Sequence, residues 1–79
     1  MPDLVERLQE VFRTVFAAPG LEIREGMSAK DVDGWDSLKH IELIISVQDA
    51  FGVRFRTIEV GRMDTIGDLI TLLRGRLAE

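Results

Sequence analysis

The chain contains no cysteine, which excludes disulfide staples and thiolate metal sites. It has a single histidine, His40, so a histidine-built metal cluster or a Ser–His relay has little to draw on. No apolar run approaches membrane-spanning length, and no basic-then-apolar segment opens the sequence. Together these absences point to the cytoplasm and away from membrane insertion. Excess positive charge is missing too, with ten Lys and Arg against fourteen Asp and Glu and a formal charge of −4. Nucleic acid is therefore disfavoured as a partner, since binding it requires clustered bases to neutralise phosphates. Partners with basic docking surfaces are favoured instead.

Seventy-nine residues suffice for one domain, expected to span 1–79, because a second core could not be formed from so little chain. A domain of this size buries only about 60% of the surface its unfolded chain exposes, so modest stability is expected. An apolar fraction of 46% with 30% charged residues fits a globular fold and argues against disorder. The chain runs from Met1 to Glu79 without tag-like or linker-like ends. A free-standing monomer is the expectation.

Asp3 can cap a helix, after which Leu4, Val5, Leu8, Val11, Phe12, Val15 and Phe16 recur at helical spacing. That amphipathic helix is expected to end near Ala17 or Ala18, ahead of Pro19-Gly20. Residues 19–36 hold three glycines and mixed charges without a sustained period. They read as a long loop pinned by Leu21, Ile23, Val32 and Trp35, and loops of this length are often functional. A second helix is expected over Ser37–Phe51, capped by Asp36 and stopped at Gly52. A short helical turn follows around Thr57–Gly61. A last helix from Asp64 or Thr65 places Ile66, Leu69, Ile70, Leu73 and Leu77 on one stripe. The expected fold is all-α, a small bundle of three main helices plus one short helix.

The stretch "DVDGWDSLKHIELIISVQDAFG", Asp31 to Gly52, carries two apolar faces. On a helical projection with Leu38 at zero, Leu43, Ile44, Val47, Ala50 and Phe51 fall between about 120° and 240°, a core face. Leu38, Ile41 and Ile45 gather on the other side, between about 300° and 360°. Glu42, Asp49, Ser46 and Lys39 fill the sector between. So little chain remains to cover the second strip that it reads as a docking surface beside Ser37.

Ser37 admits four roles. A hydrolytic nucleophile would need a base and an oxyanion hole, but the G-x-S-x-G elbow is absent and His40 falls on the core-side arc. In a calcium loop, Asp31, Asp33 and Glu42 would take positions 1, 3 and 12. Trp35 and Asp36 then stand where an oxygen ligand and a glycine are needed. Simple capping by Asp36 and Ser37 accounts for the residue types but not for the apolar strip. Covalent modification is the fourth role, since the free N–H groups and dipole of a helix start stabilise an attached phosphodiester.

"GWDSLKHIELIISVQDAFGVRF" resembles the second helix and flanking loop of acyl carrier proteins, with Asp36-Ser37-Leu38 at the family's Asp-Ser-Leu. The resemblance spans nearly the whole chain. It implies that Ser37 carries a covalent 4′-phosphopantetheine, moved from coenzyme A by a phosphopantetheinyl transferase with magnesium. The arm's thiol would hold an acyl group as a thioester, and the chain itself would catalyse nothing. The resemblance further implies that Leu38, Ile41 and Ile45 are the exposed apolar positions of the recognition helix. It assigns Asp36, Glu42 and Asp49 to acidic sites that meet basic partners, and Val60 and Met63 to the border of the arm. Partners would be an acyl- or aminoacyl-loading ligase and downstream acyl-processing enzymes. Lys39, His40, Gln48, Ala50, Arg54, Arg56 and Arg62 depart from the strongly acidic fatty-acid carriers. The Trp-Asp-Ser-Leu form is similar to carriers of specialised lipid or polyketide-like pathways. An aminoacyl or peptidyl carrier is the nearest alternative. A non-covalent helical interaction module or a degenerate calcium binder would be a different class.

Overall fold

A computed structural model describes residues 3–78. The described residues form four helices: α1 (Leu4–Val15), α2 (Ser37–Phe51), α3 (Thr57–Gly61) and α4 (Ile66–Leu77). A single 3-10 turn, Ala29–Asp31, interrupts the loop between α1 and α2, and no strand occurs among the described residues. The all-α expectation holds, with α2 and α3 at the anticipated bounds.

Asp3 caps α1 by accepting the Glu6 N–H at 2.8 Å. The helix stops at Val15, two to three residues short of the expected end. Its exit is a Schellman arrangement, in which Ala18 N–H donates to Arg13 O and Ala17 N–H to Thr14 O. This geometry places Ala17 at φ +50°, a left-handed conformation that normally falls to glycine. The turn therefore bends the chain before Pro19 can. Ala17→Gly should relieve the Cβ clash and raise stability by about 0.5–1 kcal/mol, after the extra chain entropy of glycine is offset. A thermal melt followed by circular dichroism checks this, and an unchanged midpoint would mean Ala17 carries no strain.

Leu8 and Phe12 of α1 meet Leu43, Ile44, Val47 and Phe51 of α2 in the core, with Ile66, Leu69, Ile70 and Leu73 of α4. Two basic residues fix α1 and α2 as an antiparallel pair. Arg7 donates to Ala50 O at 3.0 Å and lies over the Phe51 ring at 4.5 Å. At the other end, Lys39 Nζ donates to Val15 O at 3.2 Å, a cation on the negative end of α1. Gly52 closes α2 at φ +66°. Two expected core positions differ. Ala50 is exposed because it sits at the edge of the buried arc, and Leu77 is exposed because α4 runs past the core.

The long loop is tied down rather than slack. Ile23 and Val32 are buried, and Ile23 N–H donates to Gln9 Oε1 at 3.0 Å. Farther along, Glu25 O accepts the Gly67 N–H and Met27 O the Ile66 N–H, both at 2.8 Å. These satisfy the first two orphan donors of α4, while Thr65 Oγ1 accepts the Asp68 N–H. The approach requires Gly67, where a Cβ would stand 2.9 Å from Glu25 O. Asp68 in turn accepts the N–H groups of Asp64 and Thr65, which hold its carboxyl below the usual range.

Arg76 hangs α3 on the last turn of α4. Its guanidinium binds the Glu59 carboxylate, and its Nε donates to Arg54 O at 3.1 Å. The Arg56 N–H on Glu59, with Arg76 beside it, keeps that carboxyl below its ordinary value.

Candidate functional site

Ser37 is the first residue of α2 and is exposed. Asp36 precedes it in extended conformation and accepts the Lys39 N–H at 2.9 Å, while its carbonyl accepts the His40 N–H. The cap thus satisfies the third and fourth donors of the helix. Among the described residues, the N–H groups of Ser37 and Leu38 meet no protein acceptor, and the Ser37 hydroxyl has no partner. A hydroxyl at the positive helix end, beside two open donors, suits esterification to an anionic group.

Trp35 fixes the approach to this serine. Its half-buried indole meets Phe12 edge-on at 5.6 Å and Phe16 at 5.8 Å, binding the loop to α1. On its other side the ring stacks on His40, and Nε1 donates to His40 Nδ1 at 3.2 Å. An accepting Nδ1 puts the imidazole proton on Nε2. His40 therefore serves the packing of the site, as the core-side arc suggested. Asp31 accepts the Ser28 N–H at 3.0 Å and so caps the 3-10 turn.

The two faces of α2 separate as the projection anticipated. Leu43 and Val47 are 0% exposed, whereas Leu38, Ile41 and Ile45 are 66%, 57% and 53% exposed. Ile58 of α3, at 59%, is a further exposed apolar residue. Sequence reasoning missed it because a five-residue helix is too short to show a period. Of the acids assigned to docking, Asp36 is engaged as the cap, and Glu42 pairs with Lys39 at 3.0 Å. Asp49 is exposed and forms no ion pair among the described residues. Met63 borders a cavity of about 70 Å³ shared with Trp35, His40, Thr65 and Leu69, while Val60 packs against the core. Sequence reasoning also missed the role of Lys39, because a clamp on the carbonyl of Val15 has no local signature.

No protein-family model matches the chain. Acyl carrier protein 3 of Ralstonia nicotianae is 26% identical over 77 residues, covering 98% of this chain and 88% of that protein. The solution structure of a holo acyl carrier protein from Geobacter metallireducens superposes with a TM-score of 0.88. It is 34% identical, over 94% of this chain and 85% of its own. A putative acyl carrier protein from Mycobacterium tuberculosis shares the fold at a TM-score of 0.83 and 22% identity, over 92% of this chain and 97% of its own. With this bundle, an exposed serine at the head of α2 and a relative one-third identical over 94% of this chain, the chain belongs to the acyl carrier proteins, which are carriers and not enzymes.

Proposed function

We propose that residues 1–79 act as one carrier domain whose Ser37 hydroxyl is esterified to 4′-phosphopantetheine from coenzyme A by a phosphopantetheinyl transferase. The residues at the helix start fit such a group. The N–H groups of Ser37 and Leu38 would hold the phosphate, and the exposed hydroxyl would take the ester. When bound, the group supplies a terminal thiol that carries acyl cargo as a thioester. The chain's own residues hold the serine outward and keep the surroundings rigid. Leu38, Ile41 and Ile45 offer partner enzymes an apolar surface, with Asp36, Glu42 and Asp49 as its acidic complement. Met63, with Val60 behind it, lies on the side toward which the arm can fold. The cargo belongs to a specialised lipid or polyketide-like pathway in the cytoplasm, delivered by an acyl-loading ligase.

The exposed serine heading a helix whose neighbouring apolar strip is left uncovered carries this reading. Intact-mass measurement after incubation with coenzyme A and a broad-specificity transferase tests it. A gain of about 340 Da is expected, and none in Ser37→Ala. An unmodified mass under conditions that load a control carrier would refute the proposal.

A further inference from the structure

The apolar strip of α2 has differently charged edges. Asp49 lies on one side of it, about 20° from Leu38 on the helical projection, with Glu42 close behind at about 40°. On the other side stands Gln48, at about 280°, whose Oε1 accepts the Phe55 N–H at 2.8 Å. That bond brings the Gly52–Arg56 segment, with exposed Arg54 and Arg56, against the strip. Asp49 and Arg54 line one concavity of about 480 Å³ together with Ile45, yet they form no ion pair with each other. Arg54 also lines the adjoining concavity with Arg56 and Arg76. Its carbonyl is used by Arg76, but its guanidinium has no partner among the described residues. Two opposite charges thus flank an exposed isoleucine, and neither neutralises the other.

We propose that the end of α2 remote from Ser37 docks an enzyme surface of divided charge. An apolar side chain of that surface would rest on Ile45, with a base opposite Asp49 and a carboxylate opposite Arg54. A uniformly basic patch would meet repulsion from Arg54 and Arg56, so the arginine edge selects among partners as well as binding one. This rests on the docking face proposed above, but not on the modification of Ser37.

Two synthetic amphipathic helices serve as probes in a calorimetric titration of the full chain. Both carry one leucine stripe. The first is flanked by lysines on one side and glutamates on the other, the second by lysines on both. The divided-charge peptide should bind about five-fold more tightly at low salt, the worth of one rim ion pair. Arg54→Glu should reverse that preference. Because Arg54 enters the fold through its carbonyl alone, the variant should retain its helicity, and Arg54→Gln should abolish the preference without reversing it. Equal or tighter binding of the all-lysine peptide, no binding of either, or a preference that survives Arg54→Glu would overturn the inference. So would sedimentation showing a dimer dissolved by Ile45→Asp, which would make a second copy the occupant. Ser37 loading of the same variants by intact mass separates the two proposals, since loading can succeed where the divided-charge preference fails, and the reverse.

Discussion

Leu43→Ala is expected to destabilise the protein by about 3–5 kcal/mol, while Ile45→Ala, two residues along the same helix, should change it by less than about 0.5 kcal/mol. The difference follows from burial. Leu43 is 0% exposed and faces α1 and α4, so its truncation leaves a cavity that a small bundle cannot collapse around. Ile45 is 53% exposed and loses little apolar contact. A domain of this length holds about 4–12 kcal/mol in total, so the first substitution removes a large share and the second almost none. Chemical denaturation of both variants checks the contrast. Ile45→Asp sharpens it, since helicity should survive while loading or client turnover falls. Unfolding of Ile45→Asp would place that side chain in the core.

Trp35→Ala should cost about 2–3 kcal/mol, at or below the low end of the range for a fully buried tryptophan because the indole stays partly exposed. The substitution removes contacts with Phe12, Phe16 and His40 together, and these hold the loop before Ser37 against two helices. Trp35→Phe keeps an aromatic body but deletes the donor to His40 Nδ1, a loss of about 1 kcal/mol. Denaturation midpoints for the pair separate packing from hydrogen bonding. Equal losses in the two variants would mean that the N–H, and not the ring, anchors the loop.

The helices and the two faces of α2 were legible because period and caps are local properties. Asp36, the Leu43–Val47 arc and Gly52 are read from neighbours within five residues. The serine's place at the head of α2 followed from the same locality, since Asp36 caps the helix immediately before it. What depends on contacts between distant segments was not legible. The early stop of α1 rests on Ala17 adopting a conformation its residue type disfavours. The donation from Lys39 to Val15 O needs two helices in place. The opposite charges at the edges of the apolar strip likewise emerge only when the Gln48 side chain draws the Arg54 segment alongside α2.

The bonds from Ile66 and Gly67 to Met27 and Glu25 join residues about forty positions apart in the chain. The opening turn of α4 therefore takes two acceptors from the early loop, and the Glu25–Met27 stretch of that loop is tied to the bundle by α4. Opening either one strips the other of two hydrogen bonds, so the Glu25–Met27 stretch and the start of α4 are expected to open together as one cooperative unit. The loop leading to Ser37 is thus held from opposite ends of the chain, by α1 through Trp35 and Ile23 and by α4 through Glu25 and Met27.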